Sequence, residues 1–313
     1  MILTVLAVLV GVGLLAFAAD QFVLGAARVA LIRRLSPLLV GVVIIGFGTS
    51  SPELLVSASA ALGDQPEVAV GNIVGSNIAN LSLILGVGAL ILPITVASST
   101  VKREAPLAVL AALAFAVFVQ GGFVWWEGVV LLVALVVVMI GLARSGRAGT
   151  DPLGEEATEL ADPAAHSIGV EIGRTVLGLV GTIVGAQMLL WGALDFADRA
   201  GLGEGFVGAT LVAIGTSLPE LVTVVQSARR GEPDLIVGNL LGSNLFNPLG
   251  VGGVVALIGM SDLDDQTLTT VAAGAAVAVS VVALAAMMTG RTVRRAEGAA
   301  LVVLYLVLVP FMA

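Results

Sequence analysis

Two glutamates stand out as groups able to do chemistry. Glu53 lies in Gly48-Thr49-Ser50-Ser51-Pro52-Glu53-Leu54, and Glu220 in Gly215-Thr216-Ser217-Leu218-Pro219-Glu220-Leu221, both inside long apolar stretches. A carboxylate within hydrocarbon costs about 3 kcal/mol or more unless it finds a partner or a wet cavity. No Lys or Arg lies in the interior of a span to neutralise either one, so the natural partner is a cation or a proton. Pro52 and Pro219 each remove one helical hydrogen bond and crowd the carbonyl four residues earlier. Carbonyls around Gly48 and Thr49, and around Gly215 and Thr216, are thereby freed. Thr49 and Glu53, like Thr216 and Glu220, are spaced four apart and share a helix face.

A second pair of motifs supplies more oxygen. Gly71-Asn72-Ile73-Val74-Gly75-Ser76-Asn77-Ile78-Ala79-Asn80 recurs as Gly238-Asn239-Leu240-Leu241-Gly242-Ser243-Asn244-Leu245-Phe246-Asn247. Asn72, Ser76 and Asn80 step by four along one face, as do Asn239, Ser243 and Asn247. The glycines let helix backbones approach closely. The resulting donor set is all oxygen with two negative charges. It suits hard cations such as calcium and sodium, whereas zinc and copper prefer nitrogen or sulfur, and magnesium sheds water reluctantly. Two carboxylates balance one calcium or two sodium ions. Ions that both need Glu53 and Glu220 exclude each other, and a third sodium would make transport voltage-sensitive.

The elements carrying these motifs are transmembrane helices. The chain has 313 residues, of which 58% are hydrophobic and 12% charged, against about a quarter charged in soluble domains. Apolar runs of about 17 to 25 residues, long enough to cross a bilayer, recur throughout, and such runs form helical bundles. Ten spans are expected, at 2–24, 37–61, 68–91, 104–120, 124–143, 170–194, 205–228, 234–259, 267–289 and 293–312. Nothing basic precedes Arg28, so the first run reads as a span rather than a cleaved signal. Of the 14 Lys and Arg residues, 13 fall on odd-numbered loops and only Arg199 on an even one. Basic loops stay in the cytoplasm, which places both termini outside. Both motif pairs recur 167 residues apart. The fold expected is therefore an all-α membrane protein of two inverted five-helix repeats, 1–143 and 170–313, joined by an acidic cytoplasmic linker, 144–169. Inverted repeats are a transporter signature, with the site near the midplane.

Other polar residues read more plainly. Asn77 and Asn244 lie off the Ser76 and Ser243 face and suit helix–helix bonding. Asp20 and Asp195, at the ends of the first and sixth spans, suit interfacial solvation. His166 falls in the linker, and Trp125, Trp126 and Tyr305 fit interfacial or packing roles. Cysteine is absent. The sequence shows no nucleophile–base pair, cofactor fingerprint or nucleic-acid motif, and an enzyme is not expected.

The paired stretches Gly-Thr-Ser-x-Pro-Glu and Gly-Asn-x-x-Gly-Ser-Asn-x-x-Asn closely resemble the alpha repeats of the cation/calcium antiporter superfamily, and the prokaryotic sodium/calcium exchangers most of all. The resemblance covers nearly the whole chain in helix count, inverted halves and motif placement. It implies a central site of four ion positions. Glu53 and Glu220 would bind calcium with the carbonyls of Thr49 and Thr216. Sodium would use the same glutamates plus Ser50, Ser76, Ser217 and Ser243, and the carbonyls of Gly46 and Ala213. Asn80 and Asn247 would line the middle position. Some prokaryotic members carry Asp where this chain has Asn247, which bears on proton involvement and stoichiometry. The resemblance also implies alternating access by sliding of the first and sixth helices.

The expected function is thus a multi-pass antiporter of the cell membrane exchanging sodium for calcium, with no cofactor. Its partners are the two ions and the lipid bilayer, and a monomer suffices. The alternative is a calcium/proton exchanger, because close carboxylates raise each other's pKa. A potassium-dependent exchanger is a lesser variant.

Overall fold

In the computed structural model, residues 2–32, 50–146, 167–259 and 263–312 are described. They are overwhelmingly helical. Helix α1 spans Ile2–Ile32, α2 Ser51–Leu62, α3 Pro66–Ile91, α4 Ser98–Lys102, α5 Glu104–Phe118 and α6 Trp125–Gly146. The second part holds α7, Ile168–Ala200; α8, Glu204–Thr216; α9, Leu218–Arg230; α10, Pro233–Ile258; α11, Thr267–Met288; and α12, Arg295–Leu308. Eight helices among the described residues are long and apolar enough to cross a membrane. The pair α8 and α9, bent by 45° at Ser217, counts as a ninth. Of the expected span 37–61, only residues from 50 onward are described.

Burial sorts these helices. The α3 span is 83% buried and the α10 span 78%, so these two form the centre. Helix α3 packs against α2 and α8 and, through its second half, α12. Helix α10 packs against α5, α6 and α9. The outer helices turn apolar side chains outward, as Val133, Val136 and Val137 of α6 show. Leucine, isoleucine and valine suit lipid contact, while the polar motifs retreat inward.

Helices α1 and α7 pack along each other for most of their length. Glycines make this possible. A Cβ on Gly178 would lie 2.4 Å from the Phe22 backbone nitrogen, and one on Gly185 2.6 Å from that of Leu15. At 31 and 33 residues the two helices outrun the hydrocarbon core by about 16 to 20 Å. Arg28 and Arg199, both expected in loops, therefore lie in α1 and α7 respectively, and Arg174 lies near the start of α7. Their charges are bound at the helix ends: Glu171, fully buried, pairs with Arg28 at 3.4 Å and Arg174 at 3.3 Å. Asp195, expected to be merely solvated, accepts from Thr4 and pairs with Arg199 at 2.7 Å. Gly201, in the left-handed region at φ 66°, ends α7 as glycines commonly do.

Two further features depart from the all-helical expectation. A two-residue antiparallel ribbon joins β1, Ile94–Thr95, to β2, Thr292–Val293. Several helices also contain π-helical turns, at Asn80–Ile84, Gly208–Val212, Asn247–Val251 and Thr267–Ala272. Such turns cluster at functional sites. The expected linker falls almost wholly outside the described residues, as does His166.

Candidate ion-binding site

The chain breaks where proline demands it. Pro219 has no N–H to offer the Gly215 carbonyl, so α8 stops at Thr216 and α9 starts at Leu218. Glu220 then falls in the first turn of α9, and Glu53 likewise in the first turn of α2. Helix N-termini carry partial positive charge and favour a carboxylate there. Both glutamates are fully buried.

Their hydrogen bonds leave half of each carboxylate open. Oε1 of Glu53 accepts from the Ser217 hydroxyl at 3.1 Å, and Oε1 of Glu220 accepts from the Ser243 hydroxyl at 3.2 Å. Among the described residues the Oε2 atoms of both have no hydrogen-bond partner. Among the described residues neither glutamate forms an ion pair; those found involve Glu171 and Asp195. A buried carboxylate without a counter-charge is costly, and a bound cation would supply what is missing.

Neutral oxygens surround them. Thr216 is buried, donating to Asn72 Oδ1 at 3.0 Å, with the Ser76 hydroxyl 3.4 Å from its own. The Ser50 hydroxyl is buried with no partner among the described residues. Asn80 and Asn247 are fully buried, head two of the π turns, and leave both amide atoms unpaired among the described residues. The Ala213 carbonyl, expected as a ligand, accepts from the Ser217 amide at 3.0 Å and the Thr216 hydroxyl at 3.1 Å. Gly46, Gly48 and Thr49 lie outside the described residues. No group of three or more His, Cys, Asp or Glu residues occurs among the described residues, so any cation held by Glu53 and Glu220 would need neutral oxygens as well.

Backbone contact between α3 and α8 brings these groups together. A Cβ on Gly75 would fall 2.1 Å from the Ala209 carbonyl oxygen, and one on Gly71 2.5 Å from that of Gly205. Ser76 thus reaches Thr216 across 140 residues of sequence. Asn244 donates to the Asn77 carbonyl at 2.9 Å, the helix–helix bond expected of that pair. Sequence reasoning missed Ser57, whose hydroxyl accepts from Asn72 at 2.9 Å. Its position one turn beyond Glu53 was the available signal.

Known proteins resemble this chain in sequence and fold. The profile of the family described as sodium/calcium exchanger protein matches residues 3–143 and 171–313. The chain belongs to the sodium/calcium exchanger protein family. Among curated members and relatives, it is 37% identical to the inner membrane protein YrbG of Escherichia coli (strain K12), over 84% of this chain and 82% of that one. It is 28% identical to the sodium/calcium exchanger MaX1 of Methanosarcina acetivorans, over 96% and 95%. The solved structure of the sodium-calcium exchanger NCX_Mj soaked with 10 mM sodium and no calcium superposes with a TM-score of 0.68 at 30% identity, covering 99% of this chain and 98% of that one. The exchanger family is a transporter family, not an enzyme family, and its helices make this a multi-pass membrane protein.

Proposed function

We propose that the protein exchanges sodium for calcium across the cell membrane by alternating access, with Glu53 and Glu220 as shared ligands of a midplane site. The observation that carries this reading is the pair of buried glutamates, one from each motif copy, each with an unpaired oxygen and no cationic partner among the described residues. Calcium takes both carboxylates with the carbonyls of Thr49 and Thr216. Sodium takes the same glutamates with Ser50, Ser76, Ser217 and Ser243 and the carbonyls of Gly46 and Ala213, and Asn80 and Asn247 line the centre. Because the carboxylates serve both ions, one must leave before the other enters. The chain forms ten spans in two inverted halves, 1–143 and 170–313, with both termini outside and 144–169 in the cytoplasm. The sorting of basic residues onto alternate loops supports that orientation.

Calcium-45 uptake into proteoliposomes loaded with sodium, against liposomes loaded with potassium, with and without an imposed pH gradient, tests this reading. Uptake that needs internal sodium and ignores the pH gradient is expected. Uptake that follows the pH gradient and ignores sodium would move the protein to calcium/proton exchange.

A further inference from the structure

The two glutamates are held differently, and one side chain accounts for the difference. Asn72 of α3 is fully buried. Its amide nitrogen donates to the Glu53 carbonyl at 3.3 Å and to the Ser57 hydroxyl at 2.9 Å, while its amide oxygen accepts from Thr216 at 3.0 Å. Ser57 in turn donates to the Ala69 carbonyl of α3 at 3.3 Å. These bonds tie the first two turns of α2 to α3 and to the end of α8.

Asn239 occupies the matching place in the second motif, 167 residues on. The matching position for Ser57 is Val224, a fully buried side chain with no hydroxyl. Although Asn239 is only 5% exposed, neither of its amide atoms has a partner among the described residues. A buried polar group left unpaired is unfavourable, and among the described residues the second half lacks the tether that the first half has.

We propose that Asn72 is a positioning residue that fixes Glu53 on a rigid support, and that Asn239, with Val224 at the position matching Ser57, leaves Glu220 and α9 free to shift when the bound ion changes. The two glutamates then play unequal parts. Glu53 anchors the ion, and Glu220 travels. This division rests on the reading that both glutamates hold the transported ions.

Two substitutions isolate the hydroxyl. Val224→Ser copies the first half, and Val224→Ala removes the same packing against Gly88 without adding a hydroxyl to accept from Asn239. Val224→Ser is expected to turn over about five-fold more slowly than Val224→Ala, the rate equivalent of one buried hydrogen bond, with apparent ion affinities alike. Amide hydrogen exchange across Leu218–Arg230 should also be slower in the serine variant. Both differences should vanish when Asn239→Ala is added. Equal hydrogen exchange in the two variants, or a difference that survives Asn239→Ala, would overturn the proposal. Hydrogen exchange needs no ion flux, so it decides the tether independently. Absence of sodium-driven uptake in the unsubstituted protein would instead strike the functional reading.

Discussion

The central helices and the outermost one reverse the rule of a soluble protein. Helices α3 and α10 carry Asn72, Ser76, Asn80, Asn239, Ser243 and Asn247, and they are the most buried spans. Helix α6 is mostly Val, Leu and Ile beyond its first turn, and its span is only 11% buried. In water the hydrophobic effect would drive the second kind inward. In lipid apolar surface is already satisfied, so what must be sheltered is every polar group. Substitution should therefore matter most at the centre, where contacts are backbone-close and polar, while the periphery is replaceable.

The largest effect is expected from Gly75→Val. Its Cβ would come within 2.1 Å of the Ala209 carbonyl oxygen, and backbone cannot give way as a side chain can. A destabilisation of about 3 kcal/mol or more is expected, seen as loss of monodisperse protein in detergent. A parent-like melting temperature would mean that α3 and α8 do not meet there.

A middle effect is expected from Glu171→Ala, which leaves Arg28 and Arg174 without a counter-charge between α1 and α7. Removing one partner of a fully buried pair costs about 3–5 kcal/mol. The arginines are 15% and 28% exposed, so solvent screening brings the expectation to about 1–2 kcal/mol. Thermal unfolding in detergent should fall accordingly while calcium affinity holds. If the melting temperature stayed at the parental value, the pair would not be fastening the two long helices.

The smallest effect is expected from Val137→Leu on α6, where the side chain is 62% exposed. Stability should change by less than about 0.5 kcal/mol. A larger loss would show that this face packs on protein rather than lipid.

What the sequence discloses about this molecule depends on range. Apolar runs and proline positions act locally, and they located the membrane helices and the break before Glu220. The expected spans 2–24 and 170–194 fall short of α1 and α7, because Arg28 and Arg199 look like loop residues until their partners in space, Glu171 and Asp195, are known. The β1–β2 ribbon escaped because two-residue strands have no period to detect. The duplicated motifs made Asn72, Ser76 and Asn80 visible as one face. Which hydroxyl each would meet was not visible, since Thr216 is 144 residues from Asn72 and no local pattern encodes that pairing. Likewise the contrast of Ser57 with Val224 acquires meaning only once the amide between them and the glutamate is seen.

Exchange as proposed here requires that one pair of carboxylates serve both ions. Calcium binding to the purified protein, measured by titration at increasing sodium, tests this directly, alongside Glu53→Gln and Glu220→Gln. Sodium should raise the apparent calcium dissociation constant without lowering the number of sites, and either substitution should abolish calcium binding. Calcium binding indifferent to sodium, or retained in full by either glutamine variant, would contradict a shared site.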